Sequence, residues 1–139
     1  FCAFNDIKPA VNQIELHPFF QKVGEQKINN DLSVAVQSWA SFAEGQNGIF
    51  KNEPLSQIGK KYGKTPAQVI LRWLIERNVI VIPKTTRIER MRENFAVFDF
   101  ALSADDKAKI ATLDTNKTLF IDHRDPERIK WLANYKHES

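Results

Sequence analysis

Lys84, Thr85, Arg87, Arg90, Glu93 and Asn94 crowd into residues 84–94, directly after the run Val79-Ile80-Val81-Ile82-Pro83. Four apolar, largely β-branched residues in a row read as a strand buried on both faces, as in a parallel sheet, and Pro83 ends it. The turn that follows (Lys84, Thr85, Thr86) is cationic and hydroxylated, and a helical stretch comes after it. Such groups at the carboxyl end of a buried strand, beside a helix start, suit an anion. The amides and dipole of the first helical turn favour negative charge, and Lys and Arg add full charges. Arg suits a phosphate in particular, because its planar fork bonds two oxygens. Arg90 and Glu93, three apart, lie near one helix face, and Asn94 adjoins them. On spacing alone, the same residues fit equally well a solvated basic turn with ordinary surface charges.

Two further side chains have chemistry to offer. Gln13 sits in Ala10-Val11-Asn12-Gln13-Ile14-Glu15-Leu16, a short strand stopped by His17-Pro18. Alternation puts Val11, Gln13, Glu15 and His17 on one face, and Asn12, Ile14 and Leu16 on the other. A Gln amide presents both a donor and an acceptor, which suits a carboxamide or a neighbouring stretch of backbone. Trp39 ends a second strand over residues 32–38, where its face could stack on a flat ring or fill a core. His17 has no Cys or His partner at metal spacing and precedes a proline, so it reads as structural.

The elements that position these residues follow from punctuation. Residues 19–29 predict a short helix weakened by Gly24, and Asn29-Asn30-Asp31 a turn. Asn52 reads as a helix cap with Pro54 in the first turn, and Gly63 as that helix's end. Thr65 caps the next helix with Pro66 at its first position, and the wide apolar face from Ala67 to Ile75 suits packing on a sheet. Gly63-Lys64-Thr65 is not a phosphate loop, since it joins two helices instead of following a strand. Ser103 with Asp106 makes a capping box, and Asp125-Pro126 starts a last short helix through Trp131. Three strand-then-helix units in succession predict an α/β fold with parallel pairing.

These residues resemble a known family. Pro83-Lys84-Thr85, then Arg90, then Glu93-Asn94 is similar to the cofactor signature of the aldo-keto reductases, NADP(H)-dependent oxidoreductases built on a (β/α)8 (TIM) barrel. The segment Asn12-Gln13-Ile14-Glu15-Leu16-His17-Pro18 resembles the family's sixth barrel strand. Residues 32–48 resemble the seventh strand and the loop after it. The resemblance implies that Lys84, Thr85 and Arg90 hold the 2′-phosphate of NADP, and that Glu93 and Asn94 lie against the adenine. It implies that Gln13 bonds the nicotinamide carboxamide and Trp39 stacks on the nicotinamide ring. One departure stands out: Ala40 occupies a place where Ser is common, and Phe42-Ala43-Glu44 replaces a Gly-containing turn. A carboxylate at Glu44 would repel a pyrophosphate unless it points away or bonds a ribose hydroxyl.

Length then bears on function. The chain has 139 residues, whereas a complete barrel takes roughly 250. The expectation is therefore one domain over residues 1–139, the C-terminal part of a barrel with about three parallel strands and a helical tail, its N-terminal half absent. The family's general acid is a Tyr assisted by a Lys, an Asp and a His, all in that other half. Neither Tyr62 nor Tyr135 follows a buried strand, so no catalytic residue is assigned. The parent reaction implied is NADPH-dependent reduction of a small-molecule carbonyl in the cytoplasm. Competing readings are a non-enzymatic α/β domain binding a nucleotide or anion, and a half-barrel that self-associates through its open edges. A net charge of +3, with both signs interleaved, argues against nucleic acid. Cys2 is the only cysteine, which excludes an intrachain disulfide framework or a Cys-based metal site. No apolar run approaches the ~20 residues of a membrane helix.

Overall fold

The computed structural model describes residues 2–122 and 125–135; Phe1, first of a stretch (1–6) whose sequence suits the end of a helix or a loop, lies outside them, as do residues 123–124 and 136–139. Three parallel strands, β1 (Val11–Glu15), β2 (Ala35–Trp39) and β3 (Val79–Val81), form one sheet in the order β1-β2-β3. Between and after them come α1 (Val23–Asp31), α2 (Glu53–Tyr62), α3 (Pro66–Glu76), α4 (Ile88–Phe95), α5 (Ala104–Ala111) and α6 (Pro126–Asn134). A run of 3-10 turns, Ala43–Lys51, precedes α2. The α/β class and the parallel pairing are as the sequence predicts.

The register settles which face is buried. Asn12, Val36 and Val79 share one row, and Ile14, Ser38 and Val81 the next row on the same side. That side meets Val69, Ile70, Trp73 and Leu74 of α3 in the hydrophobic core. Gln13, Gln37 and Ile80 form a row on the opposite side. Ile80 is 41% exposed and Ile82 54% exposed. The expectation that residues 79–82 are buried on both faces is thus wrong. Among the described residues the helices cover one face, and β3 is an edge strand paired with β2.

Two other boundaries move. Asn29-Asn30-Asp31 is the last turn of α1, not a loop. Asn29 donates from its side chain to the Glu25 carbonyl and accepts from Asn12 on β1, so a tertiary contact overrides its turn preference. The chain reverses at Ser33, with φ of 59°, and β2 starts at Ala35. The predicted helix over residues 19–29 begins only at Val23, because Phe20 pairs with His17 in an isolated bridge and both are buried.

The predicted caps are in place. Asn52 accepts from Leu55 N–H, Thr65 and Gln68 form a reciprocal capping box, and so do Ser103 and Asp106. Gly63 closes α2 at φ 64°. Gly59 matters for a different reason: a Cβ there would sit 2.4 Å from the Lys64 carbonyl oxygen. That contact is with backbone, which must shift for α2 and α3 to stay packed. Gly59→Ala is expected to cost roughly 2 kcal/mol, read as a lower urea midpoint at unchanged slope.

Helix α5 is locked to the preceding helices by buried carboxylates. Asp106 accepts from Tyr62 Oη, from Lys61 Nζ at 2.9 Å and from Ser103 at its amide and hydroxyl. Glu76 Oε1 accepts from Arg72 Nε at 2.6 Å and Leu102 N–H at 3.0 Å, and its Oε2 forms an ion pair with Lys107 Nζ at 2.7 Å. The tail turns back to β1, where Thr115 donates to the Phe19 carbonyl from both its amide and its hydroxyl. Among the described residues, no helix is long and apolar enough to cross a membrane.

Candidate functional site

Near the carboxyl ends of the three strands lie neighbouring cavities that share wall residues. Lys84, Thr85, Arg90, Glu93 and Asn94 all line one of them, of about 390 Å³. Its other wall is Thr65, Pro66 and Ala67 at the start of α3, with Phe42 and Phe50 from the segment after β2. Phe42 and Lys84 also border a second cavity, which reaches Trp39 and Glu44. Trp39 in turn borders a third, of about 380 Å³, with Gln13. Shared walls therefore link all seven predicted site residues along one side of the domain.

Local structure explains the cation-bearing end. Pro83 stops β3, and Thr85 Oγ1 accepts from Arg87 N–H at 3.1 Å, which tightens the turn into α4. The first turn of α4 has no side-chain cap, so its amides remain open. Lys84 and Arg90 have no hydrogen-bond or ion-pair partner among the described residues. Two cations without a partner among the described residues thus share one cavity wall with the Thr85 hydroxyl, an arrangement that suits an anion. Glu93 is tied down: it accepts from Thr65 Oγ1, and its carbonyl accepts from Gln68 Nε2 at 3.1 Å. Its carboxylate therefore belongs to the seam between α3 and α4.

At the other end, Gln13 Nε2 donates to Gln37 Oε1 across the strands at 2.9 Å. That bond commits an amide hydrogen of Gln13 and leaves its carbonyl oxygen available. Trp39 lies with its ring centroid 5.0 Å from that of Phe120 in the tail. Its strand end is held by Ser38, whose hydroxyl donates to the Leu16 carbonyl at 2.6 Å and bonds Ser41 Oγ at 2.7 Å.

Between the ends the backbone is unusual. Ala40, Ala43 and Glu44 all have positive φ, at 52°, 48° and 50°. Left-handed conformations of this kind cost about 1–2 kcal/mol per residue outside glycine, so the loop stores strain beside the cavity. Glu44 lines that cavity with Lys84, so the acid suspected from the sequence does stand on the groove wall.

His17 is fully buried, and its Nε2 bonds Glu15 Oε1 at 3.0 Å. Burial lowers its pKa, against the raising effect of Glu15. It supports the strand end from inside the core, as the sequence suggests.

Comparison with known proteins bears on what this groove is for. Residues 3–115 match the profile of the Aldo/keto reductase family. The chain belongs to that family. Methylglyoxal reductase DkgA of Salmonella typhimurium is 41% identical over 113 residues, which is 81% of this chain and 41% of that enzyme. An aldo-keto reductase from a Medee basin deep-sea metagenome library superposes with a TM-score of 0.82 at 35% identity, covering 86% of this chain and 44% of the other. A mutant of Gox0644 solved in complex with NADPH superposes with a TM-score of 0.74 at 38% identity, covering 78% and 39%. These aldo-keto reductases are (β/α)8 barrels, and the three strands here are part of that architecture. The chain spans about 41% of the length of the curated reductase it matches.

Several wall residues of the groove carry no signal that the cofactor signature would reveal. Phe42, Phe50 and Thr65 come from segments far from residues 84–94. The sequence marks Thr65 as a helix cap and Phe42 as part of a departure from the family's turn, but neither as a groove wall. Thr118, Phe120 and Ile121 lie in the part of the tail without any recognised motif.

Proposed function

We propose that this chain carries the NADP-contacting portion of an aldo-keto reductase barrel, and that the parent reaction is reduction of an aldehyde or ketone to an alcohol. One observation carries the reading: Lys84, Thr85 and Arg90 line a single cavity, and neither cation has a partner among the described residues. Lys84, Thr85 and Arg90 would hold the 2′-phosphate, Glu93 and Asn94 the adenine side, Gln13 the carboxamide and Trp39 the nicotinamide face. The fit to a dinucleotide is poorest at Glu44, where only Lys84 on the same wall offsets the carboxylate. When bound, the reduced nicotinamide supplies the hydride. The residues of this chain bind and orient it.

The proton for the new alcohol needs an acid that these residues do not offer. Tyr62 commits its hydroxyl to Asp106 and lines none of the three cavities, and Tyr135 packs against Trp131 at the end of α6. The family resemblance puts the acid and its assisting groups in the half of the barrel that this chain does not span. On its own, the chain is expected neither to oxidise NADPH in the presence of an aldehyde nor to bind NADPH tightly. Loss of NADPH absorbance with catalytic turnover by the 139-residue chain would refute this. The cofactor reading itself is tested by NMR titration with adenosine 2′,5′-bisphosphate against 5′-AMP. Perturbation of residues around Lys84 and Arg90 by the first ligand and not the second is the expected result.

A second reading, compatible with the first, is that the chain self-associates. It is favoured by the apolar residues beside both sheet edges: Val11 and Ile28 near β1, and Ile82, Met91, Phe95 and Phe98 near β3, are each more than 40% exposed. Sedimentation velocity across a concentration series tests it.

A further inference from the structure

Glu15 ends β1 with its side chain 6% exposed and takes three hydrogen bonds. Its Oε1 accepts from His17 Nε2 and from Leu119 N–H, each at 3.0 Å. Its Oε2 accepts from Thr118 Oγ1. Nδ1 of His17 is buried without a partner, so the ring proton is assigned to Nε2, facing the carboxylate. Thr118 Oγ1 also accepts from Phe120 N–H at 3.1 Å. This relay sets Phe120 against two rings, with centroids 5.0 Å from Trp39 and 6.5 Å from His17. Residues 118–122 belong to no helix or strand, so no regular hydrogen-bond ladder places them. Yet Thr118, Ile121 and Asp122 form a wall of the cavity that holds Gln13 and Trp39.

We propose that Glu15 is a positioning residue: it pins the tail at Thr118 and Leu119, so that Phe120 seats on Trp39 and the tail completes the cavity beside Gln13. The inference rests on the reading of Gln13 and Trp39 as nicotinamide contacts. A tryptophan presents a flat face to a ligand only when its own ring is held, and Phe120 is the aromatic partner that holds it. A buried carboxylate with three donors is a rigid anchor, since each bond to a charged acceptor is stronger than its neutral counterpart. The pin acts through Phe120 and touches no reacting atom.

Fluorine NMR of the full chain labelled with 5-fluorotryptophan tests this. It resolves the three tryptophans, and Trp39→Phe assigns the relevant signal. Phe120→Ala defines the signal of an unseated Trp39. Thr118→Val and Glu15→Ala are each expected to move the Trp39 signal at least halfway to that position. Glu15→Gln keeps an acceptor oxygen and is expected to restore part of the shift. Far-UV circular dichroism checks folding. Should Glu15→Ala fail to fold, Thr118→Val decides, since it leaves the Glu15–His17 pair intact. An unmoved Trp39 signal in folded Thr118→Val, or no recovery in Glu15→Gln, overturns the proposal. The cofactor reading is judged separately, by titrating the labelled chain without substitutions with NADP+ up to concentrations that saturate a weak site and following the same signal. The seat of Phe120 is read without ligand, so the two failures cannot be confused.

Discussion

Arg90→Ala is expected to remove most of the discrimination between ligands with and without a 2′-phosphate, and Lys84→Ala to do nearly as much. Each hydrogen bond to a charged group contributes about 1.5–3 kcal/mol, so each variant should weaken binding of the 2′-phosphorylated ligand roughly tenfold to a hundredfold. Affinity for the ligand lacking that phosphate should barely change. The geometry supports a specific effect, because both cations line one cavity and neither is committed to an acid within the described residues. Arg90→Lys should recover the charge but not the two-oxygen geometry, and so restore only part of the preference. The measurement is a pair of titrations, adenosine 2′,5′-bisphosphate and 5′-AMP, on each variant. Equal weakening of both ligands would mean that Arg90 shapes the groove without reading the phosphate.

The second large effect falls on stability. Asp106→Ala is expected to destabilise the chain by roughly 2–4 kcal/mol. It removes a capping-box partner and the carboxylate to which the Tyr62 hydroxyl donates. The pH dependence follows from the same contacts. Burial alone would raise the pKa of Asp106, but the bonds from Tyr62, Lys61 and Ser103 outweigh it and hold the carboxyl well below the usual range. Glu76 shows the same balance, with burial opposed by Lys107, Leu102 and Arg72, and is also lowered. A carboxyl with a depressed folded pKa binds fewer protons folded than unfolded. Its stabilisation is complete above the unfolded value near ~4 and is lost as pH falls through and below it. Urea midpoints should therefore drop steeply below about pH 4, and Asp106→Asn should flatten that drop. An unaltered acid limb in Asp106→Asn would show that other groups dominate.

What was legible in the sequence was local. Asn52, Gly63, Thr65 with Pro66, and Ser103 with Asp106 mark their helix ends by side-chain chemistry within three or four residues, and the structure uses each of them. The residues of the cofactor signature, 84–94, are likewise contiguous enough to fall on one cavity wall. Long-range partners left no local trace. Asn29 stays helical because Asn12 reaches it across 17 residues. Ile80 looks like a residue buried from both sides, and only the sheet order shows that one face is open. Glu15 and Thr118 meet across 103 residues, and nothing in either segment announces the other. Ala40, Ala43 and Glu44 adopt conformations that their residue types disfavour, so no propensity rule would find that loop.

The order of the strands has a kinetic corollary. Val11 pairs with Ala35, 24 positions along, and Val36 with Val79, 43 positions along. Each pairing must close a long segment before any ladder bond forms, and the entropy of closure grows with its length. The α2–α3 hairpin, by contrast, joins neighbours and carries its own stop and start signals in Gly63 and Thr65. Helical signal should accordingly appear early on refolding from urea. The sheet, and with it the groove at its carboxyl rim, should assemble in the slow phase.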